Sequence, residues 1–256
     1  MPNYQFGSGV LVAVPNAGNL AANPTPYMVG TLQECNINVK GDIKKLWGQQ
    51  QMAVAKARGK IDVTCKGKFA TQDPTMLNQL YWGQTQTTGM QILAANEAWT
   101  IGGGSPPAAT VTVTNAANAT TDFGVLNAAT GQQFQKVPGT PAIGQYSAPT
   151  PFLGVYTFSA ADEAAKTQIY ISYTWLNAAR GTTVALVNQF MGYAPEFQAF
   201  LFNSFQSQIM GIQLNSCMMG TFSIPTKQED FWISDLEFDA SCDAAGVLGY
   251  MYADLG

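Results

Sequence analysis

Histidine is missing altogether from the 256 residues. Its absence removes every mechanism that turns on an imidazole: Ser-His-Asp and Cys-His nucleophile systems, His-ligated zinc, and the two-His-one-carboxylate iron site. Charge is scarce too, at 11% of residues, well under the roughly 25% of an average soluble domain. Gln, Asn, Thr, Ser, Ala and Gly take its place, which suits a surface meant to be covered. Bases are fewer than acids, 12 Lys+Arg against 16 Asp+Glu for a net charge of −4. That balance argues against tight nucleic-acid binding, which needs a basic surface to neutralise phosphates, although it leaves room for transient passage. The few cysteines, Cys35, Cys65, Cys217 and Cys242, form no CxxC pair and are read as reduced. Residues 1–16 lack a charged start and a long apolar run, so a secretory leader is not expected and synthesis in a cytosol is. The longest uncharged stretch, residues 197–226, is broken by Gln206, Ser207, Gln208, Gln213 and Asn215, so no membrane span is expected.

What the chain does have is alternation. Ile61, Val63, Cys65 and Phe69 fall on one face of an extended segment and Lys60, Asp62, Thr64, Lys66 and Lys68 on the other. Ile37, Val39 and Ile43 alternate in the same way with Asn36, Asn38, Lys40 and Asp42, and the two segments are expected to pair. Further strands are expected over residues 9–14, 110–114, 124–126 with 132–136, 155–158, 167–175, 182–187, 196–202, 208–224, 231–240 and 247–252. One helix is expected, with Asp73 as N-cap, Pro74 in the first turn, an apolar stripe of Met76, Leu77, Leu80 and Tyr81, and Gly83 as its stop. The fold class is therefore mainly β with one short flanking α-helix, read as a single domain over residues 1–256. Residues 102–151, rich in Ala, Thr, Gly and Pro and opening on the turn-prone run 102–107, read as an insertion or outward excursion. The glycine runs at 7–9 and 102–104 open no helix after a strand and are turns, and the sequon at Asn118 carries no meaning without secretion.

Charge is polarised along the sequence. Residues 40–68 carry eight bases against Asp42 and Asp62, a net of +6, and residues 229–254 carry seven acids and no base, a net of −7. Asp235, Glu237 and Asp239 alternate with Leu236 and Phe238, so three carboxylates line one strand face about 6.8 Å apart. That spacing allows a paired-carboxylate glycosidase reading, but nothing marks a groove; a calcium site lacks the convergent oxygens and turn it needs. The basic segment lacks a phosphate-loop pattern and interleaved stacking aromatics. A basic and an acidic surface on one subunit suit a head-to-tail contact between copies, and two ordinary solvated strand faces explain them equally well.

The run Lys44-Lys45-Leu46-Trp47-Gly48-Gln49-Gln50-Gln51, then Val54-Ala55-Lys56-Ala57-Arg58-Gly59-Lys60-Ile61, a strand, and the short helix ending Leu80-Tyr81-Trp82-Gly83 resembles the tail tube (major tail) proteins of tailed bacteriophages. The likeness continues through Tyr156 to Asp162, Ile169 to Trp175, Asn188 to Gly192, and Asp235 to Gly246, covering about two thirds of the chain. It implies a β-sandwich or barrel-like tail tube fold with one flanking helix and long inter-subunit loops, in which six copies form a ring and inner strands join into one closed barrel. Rings stack into a conduit around the tape measure protein and pass double-stranded DNA at ejection. The resemblance makes residues 41–59 a loop reaching the neighbouring ring, with Lys44, Lys45, Trp47, Lys56 and Arg58 as its contact residues. Asp235, Glu237 and Asp239 become candidates for an acidic lumen. It further implies self-association, contact with tail terminator and baseplate or tip proteins, a location in the virion tail after assembly in the host cytoplasm, no membrane, no cofactor, no metal and no enzymatic activity. The tube of a contractile injection or secretion device is the related alternative; a β-sandwich carbohydrate-binding or glycoside-acting protein is the alternative from another class.

Overall fold

A computed structural model describes residues 5–16, 25–71, 73–103 and 109–254. In chain order the elements are β1 (Val10–Pro15), β2 (Tyr27–Val29), β3 (Leu32–Trp47), β4 (Ala53–Phe69), α1 (Pro74–Leu77), β5 (Gln86–Thr100), β6 (Thr110–Thr112), β7 (Ala119–Asn127), β8 (Gln135–Lys136), β9 (Gln145–Ser147), β10 (Val155–Phe158), α2 (Ala160–Ala164), β11 (Gln168–Val184), β12 (Glu196–Phe205), β13 (Gln208–Phe222), β14 (Ser234–Ser241) and β15 (Gly249–Ala253). The protein is mainly β, as its alternation implies. It falls into two compact units, residues 1–86 with 184–256, and residues 87–183. The segment 102–151 lies within the second unit, with part of its opening turn, residues 104–107, outside the described residues.

The first unit is built on an eight-stranded sheet ordered β2-β1-β12-β13-β14-β4-β3, with β15 also paired to β13. Among the described residues the sheet does not close on itself, and β2 and β3 are its edges. One face carries Leu11, Ala13, Cys65, Phe69, Phe197, Leu214, Cys217, Leu236 and Phe238, packed with Met76, Leu77 and Leu80 of the helical segment. That segment begins as read from sequence: Asp73 accepts a hydrogen bond from the Thr75 N–H at 2.8 Å and Pro74 opens the first turn. Only one turn is α-helical; Asn78–Trp82 widens into a π-turn that ends at Gly83, whose φ of 58° is easily adopted without a Cβ.

The second unit is a sandwich. Sheets β6-β10-β9-β8 and β5-β11-β7 contribute to one core of Val111, Val125, Tyr146, Tyr156, Phe158, Ile169, Ile171 and Tyr173. Asp122 on β7 joins the sheets by accepting hydrogen bonds from the Tyr146 and Tyr156 hydroxyls, both at 2.9 Å, and from Lys136 Nζ at 2.8 Å. Burial alone would raise its pKa, but these bonds and one from the Gly124 N–H outweigh burial and hold the carboxyl below its ordinary range.

Several boundaries differ from the sequence reading. Strand β5 was not anticipated, because Ala94-Ala95-Asn96-Glu97 is poor strand former and little of it is buried. Residues 182–187 are not a separate strand: β11 runs straight on to Val184. A second helix, α2, exists where one helix was expected; Ser159 caps it, its Oγ accepting from the Asp162 N–H at 3.1 Å and donating to Asp162 Oδ2 at 2.6 Å. The largest correction falls on residues 41–59. They are not a loop: β3 and β4 continue through them as paired strands, and only residues 48–52 turn.

Candidate functional site

Two surfaces of the first unit hold the residues that the sequence singles out. One is the outer part of the β3–β4 hairpin. Strand β14 pairs with β4 only from Ser234↔Phe69 to Ala240↔Val63, so from Lys40 and Asp62 outward β3 and β4 are bonded only to each other among the described residues. This arm extends eight residues along β3 to Trp47, about 26 Å at the usual strand rise. Both of its faces are exposed.

Alternation along β3 carries the core-facing stripe Cys35, Ile37 and Val39 outward to Gly41, Ile43, Lys45 and Trp47. A bulge, with residues 59 and 60 of β4 opposite Asp42 alone, keeps β4 in phase: Gly41 faces Ile61, Ile43 faces Arg58 and Lys45 faces Lys56. Lys45, Trp47, Lys56 and Arg58 therefore share one face, and the Lys45 ammonium sits 5.8 Å from the Trp47 ring centroid. Lys44 does not belong with them. It points to the opposite face, 3.6 Å from Asp42. On the shared face Ile43, Ile61 and Trp47 are exposed, Trp47 at 58%. Among the described residues Lys56 and Arg58 have no carboxylate partner, and Lys45 and Lys56 stand directly across from each other, an arrangement that costs stability.

The second surface is the face of the sheet turned away from the core. Asp235, Glu237 and Asp239 do lie together on it, beside β4, with Asp235 opposite Lys68, Glu237 opposite Lys66 and Asp239 opposite Thr64. Lys66 Nζ contacts Glu237 Oε1 at 2.9 Å and Lys68 Nζ contacts Glu34 Oε2 at 3.3 Å. Asp235 is held by Ser223, which accepts from its N–H at 3.3 Å and donates to its Oδ2 at 3.4 Å. The stripe is thus interleaved with lysines instead of being uniformly acidic. The two charge blocks that are separate in sequence are also partly neutralised against each other within one subunit. A second feature of this face had no signal in the sequence: Phe202, Tyr252 and Tyr250 form an exposed row with ring centroids 6.1 and 6.5 Å apart, brought together by β12, β13 and β15.

Among the described residues no group of three or more Cys, Asp or Glu side chains is placed to hold a metal ion. The four cysteines are free thiols. Burial, aided for Cys65 by the neighbouring Cys217, Cys35 and Asp239, pushes the Cys65 thiol up to about 12, and burial does the same for Cys217. Both stay protonated and unreactive at neutral pH. No helix among the described residues is long and apolar enough to cross a membrane. No protein-family model matches the chain, and no curated protein matches it.

Proposed function

We propose that the chain is the repeating structural subunit of a phage tail tube, in which rings of six copies stack into a conduit that surrounds the tape measure protein and passes double-stranded DNA. The arm carries this reading. A two-stranded ribbon alone in water is at best marginally stable, and this one continues the core-facing stripe of its sheet with none of the described residues of its own subunit over it. An ordered ribbon of that kind needs a surface from another molecule. The open sheet supports the same reading: among the described residues β3 offers an unpaired edge 16 residues long at one end and β2 an edge of three residues at the other. Exposed edges are templates for pairing, and joining them between copies closes a ring. The resemblance carried by the segments within residues 44–83, 156–162, 169–175, 188–192 and 235–246 supplies the ring size, the tape measure protein and the DNA. In this arrangement the face bearing Asp235, Glu237 and Asp239 lines the channel. Its lining is mixed, with Lys66 and Lys68 among the carboxylates, so phosphates meet little net attraction and DNA slides.

Negative-stain electron microscopy with sedimentation velocity on the purified protein, at low and moderate salt, tests the proposal. Six-fold rings or hollow tubes are the expected result. A chain that sediments as a monomer at every concentration and salt overturns it. Glycan binding that disappears on Asp235→Asn or Glu237→Gln would put the carbohydrate-binding alternative in its place.

A further inference from the structure

The loop between β13 and β14, residues 223–233, has the opposite character to the arm. It contains Glu229 and Asp230 against a single base, Lys227, which already pairs with Asp230 at 3.0 Å. It also exposes Ile224, Phe231 and Trp232, with Phe231 at 82% and Trp232 at 46%. The loop therefore presents Glu229, which has no basic partner among the described residues, a second acid that shares one, and two exposed aromatic side chains, Phe231 almost free of its own subunit and Trp232 about half covered by it. Large exposed apolar groups beside charge mark an interaction site.

Its position matters as much as its composition. The loop ends at Ser234, whose partner is Phe69 at the C-terminal end of β4, whereas the arm tip follows Trp47 opposite Ala53 at the N-terminal end. Arm and loop thus sit at opposite ends of one strand of 17 residues, about 55 Å apart along the strand direction. A surface of one character at one end and its complement at the other is the arrangement of a heterologous, head-to-tail contact, which propagates by translation without self-complementary patches.

We infer that the arm of one copy docks on the 223–233 loop of a second copy, with Lys45, Lys56 and Arg58 facing Glu229 and Asp230, and Trp47 and Ile43 packing with Phe231 and Trp232. This deepens the tube reading and rests on it: the contact joins one ring to the next. An acid from the second copy placed between Lys45 and Lys56 relieves the repulsion that the isolated subunit carries across that pair. The contact requires only the arm charges that remain unpaired, since Lys66 and Lys68 are already engaged within the subunit.

Two charge-reversed proteins test it: an arm variant with Lys56→Glu and Arg58→Glu, and a loop variant with Glu229→Lys and Asp230→Lys. Each alone is expected to raise the concentration needed for assembly about tenfold or more, a change equivalent to about 1.4 kcal/mol or more. An equimolar mixture is expected to restore assembly, because each protein's arm then meets the other's loop. Phe231→Ala, at a position too exposed to affect folding, is expected to weaken assembly with the monomer's circular dichroism unchanged. The docking is overturned, and the tube reading stands, if the wild type forms tubes and all three variants form them equally well. It is also overturned if both reversed proteins fold, fail alone and fail as a mixture, or if Phe231→Ala leaves assembly untouched. A wild-type chain that never self-associates overturns both.

Discussion

Strand β4 is continuous, yet its two halves meet different surroundings. From Val63 to Phe69, apolar side chains on one face are buried, Val63 at 5% and Phe69 at 0%, while Lys66 and Lys68 on the other are exposed. From Val54 to Asp62, Ile61 and Val54 are as apolar but lie open, like every residue around them. The inner half has the helical segment over one face and β14 along its edge; among the described residues the outer half has only β3. Alternation thus decides which way a side chain points, and a second layer decides whether it is buried.

The comparison is broken or sharpened most directly at Phe69. Phe69→Ala should cost about 3–5 kcal/mol in urea unfolding of the first unit, whereas Ile61→Ala on the arm should stay within about 0.5 kcal/mol for the monomer. If the two substitutions cost the same, the arm packs within its own subunit and the contrast fails.

A smaller loss is expected at Asp122, the corresponding buried polar anchor of the second unit. Asp122→Ala leaves two buried hydroxyls and Lys136 without their acceptor and should destabilise that unit by about 2 kcal/mol, the value being tempered by the half-exposed lysine. The sign of its pH dependence follows from its depressed pKa. The folded unit binds this proton more weakly than the unfolded chain. The contribution is therefore complete above the unfolded value of about 3.9 and is lost as pH falls toward the lower folded one. Near-ultraviolet circular dichroism of the tyrosines during an acid titration, compared with the Asp122→Asn variant, should show that component only in the wild type.

The smallest effects belong to exposed charge. Lys66→Ala should cost no more than about 1 kcal/mol, because both partners of its ion pair lie at the surface. Lys56→Ala should do the opposite and stabilise the monomer by a few tenths of a kcal/mol, roughly the cost of a like-charged cross-strand pair, while weakening assembly. A destabilised monomer would show that Lys56 already has a partner in its own chain.

Much of the first sheet was legible in the residues. The alternation of Ile61, Val63, Cys65 and Phe69 placed the core face of β4, and Asp73, Pro74 and Gly83 bounded the helical segment. The arm was hidden because the resemblance makes residues 41–59 a loop, whereas a ribbon with no layer over it tolerates Gly41, Gly48 and Gly59 and polar residues on either face. The resemblance names Lys44, Lys45, Trp47, Lys56 and Arg58 together but not their division: only register reveals that the bulge opposite Asp42 sets Arg58 with Lys45 and Trp47, and that Lys44 turns away.

The sequence by itself determined the β character, the direction of each patterned face and the chemistry excluded by the absence of histidine, because these depend on residue type and on spacing between near neighbours. The tertiary structure alone decided which charges meet. Lys66 faces Glu237, and Lys56 faces Lys45 with no acid beside it among the described residues, because strand order brings β14 against the inner half of β4 and stops short of the outer half. Coulombic interaction depends on distance in space, and that distance is set by pairings between segments remote in the chain.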